Sequence, residues 1–392
     1  MPDGFLLSRV LLEFDSKSKD LIEQISAIAR TPDGSLWVGS DELRILERLS
    51  ETAPGIYGKH ERFEASDFVK LFESPADKPP SKKQPSKKQP SKKQPSEIDI
   101  EGMAYADGYL WFVGSHSTKR KKPDGKKRKK DIRALSTIET ERNRYLLARV
   151  PIVNGQPVKS CQLSDGKKNK LTAATLEQSG TTNPLMSALE QDEHLGPFVQ
   201  GNIPSKDNGL DIEGLAVRGN AVYLGLRGPV LRGWAVILEL ELEAKDSETL
   251  SLKEIGKKGE VYRKHFVDLN GLGVRDLCVQ GEHLIILAGP TMTLAGAMQV
   301  FRLKNLLDHS KDSIWSQEVD AEADAEADAL SLLFNLPAAQ GTDSQDTDKA
   351  EGITLVPCLG YDSAVMVVHD APSQTRRPNA QSLFADVYRL PE

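Results

Sequence analysis

Three glutamates stand at one place in a motif that the chain repeats. Glu101 lies in Ile98-Asp-Ile-Glu-Gly-Met-Ala104, Glu213 in Leu210-Asp-Ile-Glu-Gly-Leu-Ala216 and Glu351 in Ala350-Glu-Gly-Ile-Thr354. Degenerate copies around Ile25–Ala29 and Val274–Cys278 put Ser26 and Arg275 at the same place. Like carboxylates held close raise one another's pKa or recruit a cation. With few histidines and no cysteine nearby, the cation these donors suit is a hard, oxygen-liganded one, Ca²⁺. The competing reading is structural: each Glu caps its own loop, the following Gly makes a tight turn, and Arg275 neutralises a neighbour. His116 and His369 match one another in position, and an imidazole titrating near neutrality can serve as a general base. No Ser or Cys nucleophile motif accompanies them, so a pair of solvated loop histidines is the alternative. Gly225-Leu-Arg-Gly-Pro-Val-Leu-Arg-Gly-Trp234 presents Arg227 and Arg232 on a Gly- and Pro-shaped loop. With Arg275 they could grip a phosphate or carboxylate; alternatively Arg227 pairs with Glu213.

The elements that must position these residues are short strands. Each motif is followed by a polar turn and an apolar run: Leu36–Gly39, Leu110–Gly114, Val222–Gly225, Leu284–Gly289 and Ala364–Val368. A third run closes each unit, over Leu43–Leu49, Tyr145–Val153, Ala235–Leu242, Met298–Leu303 and Leu383–Leu390. A fourth is expected around Asp67–Phe72, Gly196–Gln200, Val261–Leu269 and Ser313–Val319. Four strands per unit, repeated, is the pattern of an all-β fold, a β-propeller. The reading is five four-stranded blades in a single domain over residues 1–392. The N-terminal run Phe5–Phe14 supplies the outer strand that the last unit lacks and removes two open edges. A degenerate sixth blade within residues 154–200 is the alternative. In this arrangement the connection entering the first strand and the one between strands two and three open on the same face. Nearly every unusual polar residue then gathers around one channel mouth, including Asp41, Asp99, Asp211, Asp276 and Asp370.

The net charge of −6 conceals a segregation. Residues 78–94 hold seven lysines and no acid, and residues 119–130 hold nine Lys or Arg and one Asp; these two runs carry +15, leaving −21 on the rest of the 392 residues. The segments 76–96 (Lys/Pro-rich) and 118–134 (basic) are expected to be disordered loops, and 320–349 an acidic linker. Among the long connections only Asn183–Glu193 reads as helical, with Pro184 in its first turn. The basic runs have no aromatic for base stacking and the acidic body repels polyanions, so nucleic acid is disfavoured as a partner. Three scattered cysteines give no disulfide framework or zinc cluster. No signal peptide is seen at the N-terminus, and a cytoplasmic location is expected. The uncharged stretch Leu284–Phe301 reads as two strands joined by Gly289-Pro290 rather than a membrane span, and no membrane association is expected.

Asp211-Ile-Glu-Gly-Leu-Ala216, followed by Gly225-Leu-Arg-Gly-Pro-Val-Leu-Arg-Gly-Trp-Ala235, resembles an uncharacterised bacterial family, a domain of unknown function. The resemblance covers most of the chain outside the low-complexity inserts. More distantly, the Glu-Gly-Leu-Ala element is similar to that of phytase-like (esterase-like) propellers. That likeness implies a propeller with a Ca²⁺-assisted hydrolytic site near Glu101 and Glu213. Ser26 and Arg275 depart from the acidic pattern. Two functional readings follow. In one, the chain is a Ca²⁺-dependent hydrolase or lyase of phosphoester or ester/lactone type: Glu101, Glu213 and Glu351 hold the metal, the arginines orient a small anionic substrate and a histidine accepts a proton. In the other, the propeller is a noncatalytic platform whose charged loops recruit a partner protein.

Overall fold

The computed structural model describes residues 3–15, 21–72, 97–162, 170–292, 296–305, 311–317, 330–337 and 348–391. Among these residues the strands pair into five antiparallel four-stranded ladders, blades of a β-propeller. Blade 1 runs Ile25–Arg30, Leu36–Ser40, Ile45–Ala53, Ile56–Glu64. Blade 2 runs Ile100–Ala106, Tyr109–Gly114, Leu147–Val153, Ala174–Leu176. Blade 3 is Asp211–Arg218, Ala221–Gly228, Trp234–Ala244, Arg263–Asp268. Blade 4 is Gly273–Gln280, His283–Gly289, Gln299–Leu303, Leu330–Asn335. Blade 5 takes Lys349–Cys358, Tyr361–Asp370 and Ser382–Arg389 from the C-terminal region, and its outer strand, Leu6–Glu13, from the N-terminal region. That outer strand also pairs in parallel with Ile56–Glu64 of blade 1, at Leu11↔Ile56 and Leu12↔Tyr57. The edges of the first and last blades therefore satisfy one another.

The core sits between blades, which is why the second strands carry continuous apolar runs through their middles. Side chains of a strand alternate between its two faces, and here both faces are covered. In blade 2, Leu110 and Phe112 pack toward blade 1, while Trp111 and Val113 pack toward blade 3. In blade 4, Leu284 and Ile286 face blade 3, and Ile285 and Leu287 face blade 5. A fifth cluster, with Leu12, Ile28, Val38, Met366 and Val387, joins blade 5 to blade 1. Each innermost strand packs against the innermost strands of both neighbouring blades, closing a ring around the channel.

Several expected boundaries move. The outer strand of blade 1 is Ile56–Glu64, not Asp67–Phe72, because Pro54-Gly55 turns the chain directly into a long strand whose many charges hide its alternation. Gly196–Gln200 is helical, and the outer strand of blade 2 is the short Ala174–Leu176. Ser313–Trp315 adds in parallel outside blade 3, and Leu330–Asn335 takes the expected place in blade 4. Within residues 154–200, the described residues form short strands and two helices rather than a further four-stranded ladder. The Leu284–Phe301 stretch forms two strands of blade 4.

The basic segment 118–134 is the largest correction. Thr118–Arg120 pairs with Ile138–Thr140, and between them lies helix α1, Arg128–Leu135. Order is possible because acids from elsewhere meet its base: Lys119 pairs with Glu97, Arg120 with Asp207 at 2.7 Å and Lys121 with Glu139 at 3.3 Å. The expected helix near 183 is α2, Pro184–Glu190, with Leu185, Met186 and Leu189 buried and Asn183 capping the Met186 N–H. Helix α3 follows at Gly196–Gln200. The expected loop at 76–96 and most of the expected linker at 320–349 lie outside the described residues.

Leu12 is fully buried on the closing strand. Leu12→Ala should destabilise the protein by about 2–4 kcal/mol in a urea titration, whereas Leu359→Ala, at a 73% exposed position, should change stability by less than about 0.5 kcal/mol.

Candidate functional site

The same irregularity recurs in all five innermost strands. Pairing with the second strand skips one residue each time: Ser26 between Ile25 and Ala27, Glu101 between Ile100 and Gly102, and Glu213 between Ile212 and Gly214. Arg275 is skipped between Val274 and Asp276, and Glu351 between Ala350 and Gly352. A bulge of this kind takes a residue out of the ladder and re-aims its side chain. The skipped residues are the five that share a place in the sequence repeat.

The residue after the bulge lies where neighbouring strands nearly touch. A Cβ on Gly102 would stand 2.8 Å from the Glu213 carbonyl oxygen, and one on Gly214 would stand 2.7 Å from Leu277 Cγ. These glycines serve close strand packing, not the tight turn expected of them. In blade 4 the position is Asp276, fully buried. Its carboxylate accepts the backbone N–H groups of Leu277 and of Ile353 in the next blade, both at 2.7 Å.

The arginines of the mouth are committed to carboxylates. Arg227 Nη1 lies 2.6 Å from Glu213 Oε1 and 3.3 Å from Asp211, and Arg227 Nε donates to the Thr291 carbonyl at 2.9 Å. Arg275 Nε is 3.0 Å from Glu213 Oε2, and its other end pairs with Glu351. Arg144, which the repeat pattern did not reveal, meets Asp99 at 2.7 Å and Glu97 at 2.6 Å. It comes from a 3₁₀ segment outside the repeat, so only the fold brings it here. Arg227 is thus the ion-pair partner of Glu213. Arg232 is exposed at the tip of a two-residue turn, with Gly233 beside it at φ +95°, and no ion pair holds it among the described residues.

Asp41, Glu101 and Asp370 stand in no ion pair among the described residues, and one carboxylate oxygen of Asp41 is buried without a hydrogen bond. Burial pushes the Asp41 carboxyl up to about 8, helped by the nearby charges of Asp99, Glu351 and Asp370. Burial likewise raises Glu101 well above the usual carboxylate range, reinforced by Asp99, Glu213 and Asp41. Asp370 is raised by burial, against the pull of Lys349 and Arg275. Carboxylates therefore outnumber guanidiniums at the mouth. The three glutamates expected to bind calcium do not form a free donor set, since Glu213 and Glu351 are held by arginines. Among the described residues, no three His, Cys, Asp or Glu side chains are grouped to hold a metal ion.

Neither histidine is solvated, contrary to one reading of them. His116 is buried; its Nδ1 donates to the Gly114 carbonyl at 2.8 Å and its Nε2 accepts from the Asn183 amide at 3.0 Å. Burial lowers its pKa to about 4. With both ring nitrogens used, it anchors α2 to blade 2 and has none free to take a proton from a ligand. His369 is also buried, beside Arg376 and Asp386, and burial followed by the Arg376 charge lowers it to about 3.

The chain belongs to the family described as "Protein of unknown function (DUF3616)", whose model matches residues 24–386, in keeping with the resemblance to a domain of unknown function. No curated protein matches it. Among solved structures it is similar to a streptogramin B lyase (10% identity, 98% of each chain covered, TM-score 0.35) and to virginiamycin B lyase from Staphylococcus aureus (9%, 98% and 99%, 0.35). A third is the PQQ-bound aldose sugar dehydrogenase from Streptomyces coelicolor (10%, 99% of each chain, 0.32). Likeness at this level carries nothing about activity. No helix among the described residues is long and apolar enough to cross a membrane.

Glu213→Gln should destabilise the fold by about 3–5 kcal/mol in chemical denaturation, because it strips the shared anion from two buried arginines. Asp41→Asn should do the opposite. A carboxyl raised in the folded state stays protonated while its unfolded counterpart ionises, so its contribution to stability is lost as pH rises from about 4 to about 8. The variant should melt higher than the parent, by more at about pH 9 than at about pH 5, reaching on the order of 2 kcal/mol.

Proposed function

We propose that this propeller is a ligand-binding protein that takes a cationic group at its carboxylate-rich channel mouth. One observation carries the reading: the charges of Glu101 and Asp41 feel one another, as do those of Asp41 and Asp370, and none of the three carboxyls stands in an ion pair among the described residues, whereas Arg227 and Arg275 are already paired. A positive charge arriving here lets these carboxyls ionise, which burial and their mutual repulsion otherwise oppose. An anionic ligand finds no such vacancy, because the arginines expected to grip it are neutralised by Glu213, Asp211 and Glu351.

An organic ammonium or guanidinium fits this arrangement better than calcium, because it can accept hydrogen-bond acceptors one at a time, whereas calcium needs six to eight oxygens converging on one point. No catalytic step is assigned. His116 has no free ring nitrogen, and His369 stands among Arg376 and Asp386.

Binding should release protons, since Asp41 and Glu101 must ionise to meet the cation. Calorimetric titration with spermidine, arginine and calcium chloride should give affinities for the organic cations that rise from about pH 6 to about pH 8, with heats that depend on the buffer's ionisation enthalpy. Asp41→Asn combined with Glu101→Gln should weaken them at least about tenfold. Organic cations that fail to bind, or that bind the double variant equally well, would exclude the reading. A melting temperature that a chelator lowers would assign the mouth to calcium instead.

A further inference from the structure

The ordered arm formed by residues 118–140 carries a surface that the mouth chemistry does not use. Its base is fixed at the rim: Lys119 pairs with Glu97, which also meets the Arg144 that holds Asp99, and Arg120 pairs with Asp207. The helix is fastened to the hairpin by Arg120 Nη1 donating to the Leu135 carbonyl at 2.5 Å and by Lys121 N–H donating to the Thr137 carbonyl at 3.0 Å. Ala134 is its buried side chain. Beyond that base, residues 121–130 are all exposed. Lys122, Lys126, Lys127, Lys129, Lys130 and Arg133 stand in no ion pair among the described residues. Of the arm's three acids, Glu139 pairs with Lys121, and the other two are turned onto the arm's own backbone, with Asp131 accepting the Asp124 N–H and Asp124 the Lys126 N–H.

The arm also exposes aliphatic surface. Ile132 is 61% and Leu135 50% exposed. They are three residues apart and so lie on one side of α1, away from Ala134. A solvated charged loop has no use for a pair of outward aliphatic side chains on a helix carried by a hairpin that ion pairs hold at its base. Unpaired cations flanking a small apolar face complement a surface in which carboxylates flank aliphatic side chains.

We propose that this arm is a docking site for an acidic segment of a partner protein that carries aliphatic side chains among its carboxylates. A short segment can meet the arm alone. A nucleic acid or an anionic membrane extends beyond it over a chain whose remaining charge is negative, and the arm offers neither an aromatic to stack on a base nor one to sit at a lipid interface. The inference does not depend on the cation reading of the channel.

The test uses the full chain and a labelled synthetic peptide built from alternating pairs of glutamate and leucine, read by fluorescence anisotropy. Controls are a glutamate–serine peptide of equal charge, a single-stranded oligonucleotide and phosphatidylserine vesicles. The leucine-containing peptide should bind most tightly, and more weakly as salt is raised. Ile132→Ser with Leu135→Ser, which leaves the charge unchanged at exposed positions, should weaken it about tenfold without lowering the melting temperature. Lys126→Glu with Lys129→Glu and Lys130→Glu should weaken it further, whereas Asp41→Asn should leave it unchanged. Equal binding of the serine peptide, tighter binding of the oligonucleotide or vesicles, or indifference to the arm substitutions would each overturn the proposal.

Discussion

Five innermost strands closing around one channel approach so nearly that three of the five residues following a bulge have no room for a side chain. Gly102, Gly214 and Gly352 meet that limit by having none; a Cβ on Gly352 would lie 2.8 Å from Val368 Cγ2. Asp276 meets it differently, using its carboxylate to join blade 4 to blade 5 through the Ile353 N–H. The bulge and the small residue are two parts of one solution. Taking one residue out of the pairing lets the strands converge and turns that residue into the space left between them. Packing of the ring thereby fixes which side chains line the channel.

Electrostatics follow from that placement. Buried carboxylates are tolerated when a guanidinium is near, and Glu213 has two, Arg227 and Arg275. Both arginines are themselves buried, so each depends on the acids around it, and the set is stable only as a set. Arg144 does the same for Asp99 and Glu97 on the side nearer blade 2, and through Glu97 it connects the mouth to the basic arm. What remains after these pairings are the carboxyl groups of Asp41, Glu101 and Asp370, which stand in no ion pair among the described residues and which burial holds above the usual carboxylate range.

The histidines show how a side chain's type can mislead when its surroundings are unknown. His116 occupies a loop position in the sequence, after a strand and before a lysine run, where solvent is the ordinary surrounding. The fold lays α2 over it, and Asn183, a helix cap by its position before Pro184, turns its amide onto the ring. The basic run misleads for a related reason. Nine like charges in twelve residues repel one another in isolation, but Glu97, Glu139 and Asp207 come from sequence-distant or separately paired positions to hold its base.

The repeat in the sequence was enough to determine a β-propeller, the equivalence of Ser26, Glu101, Glu213, Arg275 and Glu351, and the closing strand at Leu6–Glu13. Those features depend on local patterns: apolar runs buried on both faces, a Gly after each of the three channel glutamates, and an unpaired run ahead of the first unit. Tertiary structure alone decided the outer strands of blades 1, 2 and 4; in Ile56–Glu64 charges mask the period of two. It also decided the charge state of the mouth. Whether a carboxylate is spare or paired depends on which arginine reaches it. Arg144 reaches its carboxylates from a 3₁₀ segment and Arg227 from the end of a second strand, both outside the repeated motif, at distances that burial and strand convergence set and that spacing along the chain does not encode.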